Sequence, residues 1–148
     1  MASKATRPAA SNEEIVQKLW NTLNTGDYSV VDEIIAESYV EHNPTEPESI
    51  HGREGFTKNV KQYREAFSDL NVTIEDIVSE GDMVATRWKA VGTHDGELAG
   101  VPASGNHVEV TGIEIDRIVD GQVTEVWTNF DVLGMMRQMG AIPDETGS

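Results

Sequence analysis

The chain has 148 residues, 26 Asp and Glu against 11 Lys and Arg, no cysteine, and a formal charge of −15. Its length fits one domain around a single core. The missing cysteine excludes disulfides, thiol nucleophiles and zinc–thiolate sites, and the acidity argues against nucleic acid or an anionic membrane as partner, since both need a basic patch.

The acids are spread over the whole chain, so an acidic tail does not explain them. A carboxylate-rich surface of the salt-loving type does, and it predicts a melting temperature that rises between low and molar salt. No apolar run is long enough to span a bilayer, and the opening Met-Ala-Ser-Lys-Ala-Thr-Arg-Pro lacks the apolar core of a signal peptide. A cytoplasmic protein is expected.

In chain order, residues 1–10 are small and polar and are predicted to be a disordered tail. A single domain is expected over 11–142, with a polar tail at 143–148. Ser11-Asn-Glu-Glu14 is a capping-box pattern. It opens an amphipathic helix in which Ile15, Val16, Leu19, Trp20 and Leu23 follow the helical period, and Asn24-Thr-Gly26 ends it. Asp27 is expected to cap a second short helix holding Val30, Val31, Ile34 and Ile35. Tyr39-Val-Glu-His-Asn-Pro44 reads as a short extended piece, because a residue before proline is pushed toward β space. A third helix is predicted from about Arg53 to Ser68, with Phe56, Val60, Tyr63 and Phe67 as its stripe.

Four strand-like runs follow, at about 70–79, 83–93, 106–119 and 123–131, with a long loop over 95–105 between the second and third. A terminal helix is expected over Val132–Met139, stopped by Gly140. Helices first and an antiparallel meander after give an α+β fold, a cone-shaped barrel with three N-terminal helices packed on a curved antiparallel sheet and a short C-terminal helix.

The last two runs flank Asp120-Gly121, a strong signal for a two-residue type I′ hairpin turn. A tight turn pairs Val119 with Gln122. Counting outward without interruption then pairs Glu114 with Trp127, Gly112 with Asn129 and Val110 with Asp131. Side chains alternate along a strand, so one face is expected to carry Glu114, Trp127, Asn129 and Asp131 as a pocket floor. The other carries Ile113, Ile115, Val126 and Phe130, with Arg117 and Thr128.

The runs Tyr39-Val-Glu-His-Asn-Pro44, Gly92-Thr-His-Asp-Gly-Glu97, Gly100-Val-Pro-Ala-Ser-Gly105, Arg117-Ile-Val-Asp-Gly121 and Glu125-Val-Trp127, with Asp131 before Met-Met-Arg-Gln-Met-Gly140, resemble the SnoaL-like polyketide (ester) cyclase family. The likeness covers about residues 12–142 and implies the nuclear-transport-factor-2-like cone fold. It also implies ring closure by intramolecular aldol condensation, with an aspartate as acid/base and no metal. By position in Trp-x-x-x-Asp that aspartate matches Asp131, and a substrate-positioning asparagine matches Asn43. Where the family's cyclases carry glutamine and histidine on the penultimate strand, this chain offers Glu114 and Asp116, and a carboxylate cannot act as a neutral imidazole would.

The candidate catalytic residues are therefore Asp131, Asn43 and His42, of which only one of the last two need face inward. Glu114, Trp127, Asn129, Trp88 and Tyr39 are candidates to line the substrate site. Asp131 could equally be a helix N-cap. No metal or other cofactor is expected, since the four histidines are scattered and no phosphate cradle is present. The expected ligand is a small apolar or aromatic carbonyl compound.

Two other readings stay open. One is epoxide hydrolysis of the limonene-epoxide-hydrolase type, drawing on Asp116, Arg117 and Asp131. The other is a non-catalytic small-molecule-binding domain. A homodimer packed through the apolar sheet face is expected.

Overall fold

The computed structural model describes residues 11–143, so the tails expected at 1–10 and 143–148 lie outside the described residues, Pro143 excepted. Helix α1 (Asn12–Thr25) starts at a complete capping box. The Ser11 hydroxyl accepts from the Glu14 N–H, and the Glu14 carboxylate accepts from the Ser11 N–H. Its buried stripe is Ile15, Val16, Leu19 and Trp20.

Helix α2 is a single turn, Val31–Ile34, shorter than the sequence suggests. Asp27 does not cap it, because its carboxylate is spent on the Ser29 N–H, and Ile35 already has extended backbone. Strand β1 therefore runs over Ile35–His42, beginning before Tyr39. The short β2 (Ile50–His51) leads into α3 (Gly52–Ala66). Then follow β3 (Asn71–Glu80), β4 (Met83–Thr93), β5 (His107–Val119), β6 (Gln122–Phe130) and α4 (Val132–Gln138).

The six strands form one curved sheet in the order β2-β1-β6-β5-β4-β3. The four-strand meander appears as expected, and β1 closes onto β6 in parallel, which local periodicity does not announce. Helices α1 and α3 lie across the concave side, α1 against β3 and β4, α3 against β1 and β2. Trp20 meets Trp88 at 5.4 Å between ring centroids, and Phe56 packs edge-on against Tyr39 at 5.6 Å. Gly112 in β5 is required here: a Cβ would come within 2.6 Å of the Trp88 ring and 2.7 Å of Phe130 Cβ. The missing side chain lets two large aromatics close over the sheet. No helix among the described residues is long and apolar enough to cross a membrane.

The hairpin turn is as read. Asp120 and Gly121 both have positive φ, 52° and 78°, and Val119 faces Gln122. The count outward from it is corrected by a β-bulge. Ile118 pairs with Val123 but Arg117 pairs with Glu125, so Thr124 is an extra residue on β6. One added residue reverses every later side chain. Glu114 therefore faces Thr128, Ile115 faces Trp127 and Ile113 faces Asn129. Val126, Thr128 and Phe130 turn inward, while Trp127 and Asn129 leave the concave face.

Candidate active site

On β1, Tyr39 and Glu41 are buried and point to the concave side, with Asn43 following them at the same parity. The Tyr39 hydroxyl donates to Glu41 Oε1 at 2.6 Å, and Asn43 Nδ2 donates to Glu41 Oε2 at 3.0 Å. Asn43 is itself fixed, because its Oδ1 accepts from both the N–H and the hydroxyl of Thr45. Both oxygens of Glu41 are thus occupied by donors, which favours its ionised form. Burial outweighs them and raises its pKa above the ordinary carboxylate value.

On β5, Glu114 and Asp116 are two apart and so share the concave face. Glu114 is 6% exposed and Asp116 0%. The cross-strand neighbours of Glu114 are Thr86 and Thr128, both buried. Among the described residues, both oxygens of Asp116, one oxygen of Glu114 and the Thr86 hydroxyl have no hydrogen-bond partner within ordinary distance.

Among the described residues no Lys, Arg or His lines the concave cavity, and three carboxyls grouped there without a cation cannot all ionise. Burial, and next the adjacent Asp116, push Glu114 well above the usual range; the Thr128 hydroxyl opposes this. Burial raises Asp116 to about 7; the neighbouring Glu114 opposes the rise and Glu41 adds to it. Burial and then Glu41 hold the Tyr39 phenol well above its ordinary value. Neutral Glu114 beside a donor-supported Glu41 is a proton donor beside a proton acceptor.

These groups line a half-open cavity of about 110 Å³ whose walls are otherwise largely apolar, including Trp20, Trp88, Val110 and Phe130. Glu41, Asn43, Tyr39 and Glu114 line it, while Asp116 lies behind Glu114 and does not. A wider chamber of about 740 Å³ lies toward the surface, between α3, the 97–100 loop and α4. Tyr63 and Met135 line both spaces.

Of the residues expected at the site, Tyr39, Asn43, Trp88 and Glu114 come together. Four do not. Asp131 is exposed, lines neither space, and accepts the Gly134 N–H at 2.9 Å as the N-cap of α4. Its sequence position allowed either role, and the geometry is that of the cap.

His42 faces the convex side, where Nε2 meets Glu125 Oε2 at 2.7 Å and its ring stacks on Trp127. Arg117 lies over the other indole contact, 5.3 Å from the ring centroid, and reaches Asp82 and Glu125. Trp127 and Asn129 are displaced outward by the bulge. Asp116, Arg117 and Asp131 consequently form no common site: one is buried, one faces outward and one caps a helix. The apolar outer face is also smaller than expected, since Ile113 and Ile115 are exposed there but Val126 is buried inside.

Glu41, Thr128, Trp20 and Tyr63 also line the cavity, where sequence reasoning did not place them. The signal for Glu41 was present: if Tyr39 and Asn43 face inward, the residue midway between them must as well. Among the described residues, no group of three or more His, Asp or Glu side chains is placed to hold a metal ion.

With that geometry in hand, the class is defined. The SnoaL-like polyketide cyclase family matches residues 13–139, and the chain belongs to it. Relatives include aklanonic acid methyl ester cyclase DauD of Streptomyces sp. (strain C5), 33% identical over 86% of this chain and 80% of the relative. Aklanonic acid methyl ester cyclase DnrD of Streptomyces peucetius is 33% identical over 86% of this chain and 89% of the relative. Among solved structures, the chain resembles IdmH, a putative polyketide cyclase from Streptomyces antibioticus. That match has 35% identity and a TM-score of 0.77, covering 88% of this chain and 99% of that one. A putative SnoaL-like polyketide cyclase from Jannaschia sp. CCS1 matches at 27% identity and TM-score 0.82, covering 93% and 99%.

Proposed function

We propose that this protein is a cofactor-free cyclase closing a ring by intramolecular aldol-type addition, with Glu41 as base and Glu114 as acid. The observation that carries the proposal is the pair of cavity-lining carboxyls in unlike surroundings, one holding two hydrogen-bond donors, the other buried beside a second acid.

Glu41 removes a proton from a carbon next to a carbonyl. The resulting enolate carbon forms the new C–C bond to a second carbonyl, whose oxygen takes the proton of Glu114 as its π bond opens. The product is a β-hydroxy carbonyl isomer of the substrate, and no atom is lost. Transfer of the proton from Glu41 back to Glu114 completes the cycle. Asp116 touches no substrate and acts through Glu114, keeping it protonated by electrostatic repulsion.

Three acids with no cation among the described lining residues also imply that the reacting end is uncharged, an ester or ketone rather than a free carboxylate. The names of the methyl ester cyclases among the relatives agree with this. Aklanonic acid methyl ester is therefore the first substrate to assay, against its free acid. Glu114→Gln should keep the fold and lose turnover by about 10²–10⁴-fold. A folded Glu114→Gln protein with full activity would remove the mechanism. We also propose that a second copy packs on the convex face at Ile113 and Ile115, to be checked by light scattering.

A further inference from the structure

Glu41 is buried with one donor on each carboxylate oxygen, and the two donors differ in kind. The Tyr39 hydroxyl turns about its C–O bond and finds Oε1 unaided. Asn43 has no such freedom, because its amide has a donor end and an acceptor end of nearly the same shape. With Nδ2 toward Glu41, at 3.0 Å, it stabilises the carboxylate. With Oδ1 there it would repel it.

The loop after β1 decides which end is presented. The Thr45 N–H donates to Asn43 Oδ1 at 3.0 Å, and the Thr45 hydroxyl donates to the same atom at 2.8 Å. A backbone N–H can only donate, so Oδ1 is pinned on the Thr45 side and Nδ2 is left for Glu41. Pro44, between the two residues, has its φ fixed by the ring and suits the turn. The Thr45 hydroxyl places its hydrogen on Asn43, so its oxygen is free to accept from the Tyr63 phenol, 3.5 Å away on α3. Burial raises the Tyr63 phenol above its ordinary value, so it keeps the hydrogen that it donates. Tyr63, Thr45 and Asn43 thus form a one-way chain in which every hydrogen points toward Glu41. Bonds in such a chain polarise one another and strengthen by roughly 10–30% each.

We infer that Thr45 and Tyr63 are positioning residues for the reaction: neither is the base, but together they hold Asn43 in the orientation that supports Glu41 as a carboxylate. The inference rests on Glu41 being the base. It gives α3 a part in the chemistry, since the chain starts on that helix and ends on β1.

The titratable groups around Glu41 are Tyr39 and His42 of its own strand, Glu46 in the following loop, Tyr63 on α3, and Glu114 and Asp116 on β5. Substitution at Thr45 removes none of them, so a change in Glu41 reads the chain itself. The full-length protein, labelled at glutamate Cδ, is titrated by NMR without substrate, and Glu41→Gln identifies the Glu41 signal. Thr45→Val removes the hydroxyl and keeps the backbone N–H. It should raise the Glu41 midpoint by about 0.5 pH unit, and Thr45→Ser should restore it. Tyr63→Phe should raise it by about 0.2 pH unit. Thr45→Ala gives the same reading if valine is not tolerated in the loop. In the rate profile, the acidic limb of Thr45→Val should follow, lowering turnover about threefold below the limb and leaving it unchanged above.

An unmoved midpoint in Thr45→Val overturns the inference. So does a rise that serine fails to reverse, or one that Tyr63→Phe does not share. The catalytic reading is judged separately. If the midpoint moves and the acidic limb does not follow, Glu41 is not the base, while the chain that orients it stands.

Discussion

The two faces of one sheet treat the same residue types in opposite ways. Glu41 and His42 are neighbours in the chain, as are Asp116 and Arg117, yet each pair is split between concave and convex sides. On the convex side Glu125 has His42 at 2.7 Å and Arg117 at 3.4 Å, with Trp127 stacked beside them in partial contact with water. Charge there is paired and solvated, and such surface pairs contribute only ~0–1 kcal/mol each. On the concave side Glu41 and Glu114 line an apolar cavity with Asp116 buried behind, and among the described residues no Lys, Arg or His lines it. Burial of charge without a partner costs stability. Buried carboxyls without a cation beside them, on one face of a sheet that pairs its charges on the other, are a mark of a functional site.

The largest test of this contrast is to remove an acid from each face. Glu114→Gln should lower turnover by about 10²–10⁴-fold, whereas Glu125→Gln should leave it within about threefold and cost no more than about 1 kcal/mol in denaturant melts. Comparable activity losses would erase the distinction.

Asp116→Asn sharpens it. Removing the neighbouring negative charge lowers the pKa of Glu114, so the alkaline limb of the pH–rate profile should move to lower pH. Stability gives an independent reading. In the folded protein Asp116 holds its proton up to about pH 7, against 3.8 for an ordinary aspartate. The wild type therefore loses stability as pH rises through that interval. Relative to wild type, Asp116→Asn should gain roughly 2–4 kcal/mol between pH 4 and pH 8.

Tyr39→Phe acts on the other limb. The phenol's hydrogen bond holds the pKa of Glu41 down, so its loss should shift the acidic limb upward and slow turnover by about tenfold near neutrality.

The smallest effect is expected at Asp131. Asparagine caps a helix as well as aspartate does, so Asp131→Asn should change neither activity nor stability measurably. Asp131→Ala should cost about 1 kcal/mol in thermal unfolding. Loss of turnover in the asparagine variant would restore the role that the sequence suggests for it.

Much of the architecture was readable before coordinates. Helix α1 has its capping box, the Asp120-Gly121 turn needs positive φ twice, and three long strands carry their alternation openly. The site was half readable, for a definable reason. Parity along β6 rests on an uninterrupted count, and Thr124 interrupts it. Val123 and Val126 are three apart and both buried, a spacing that strict alternation forbids, so the apolar pattern did carry the mark of a bulge. The parallel closure of β1 on β6 had no comparable local signature, because it joins segments from opposite ends of the domain. The group of Glu41 with Glu114 depends on that closure and could be found only in three dimensions.

That closure bears on how the protein comes into being. His42 lies beside Trp127 in the sheet, so one edge of the first strand stays unpaired until almost all of the domain has left the ribosome, while β2 can cover the other edge earlier. Pairings of such long sequence separation are slow to form. The acids of β5 can remain hydrated until the first strand and the helices seal over them. The concave face that carries Glu41 and Glu114 is therefore complete only once the two ends of the domain have met.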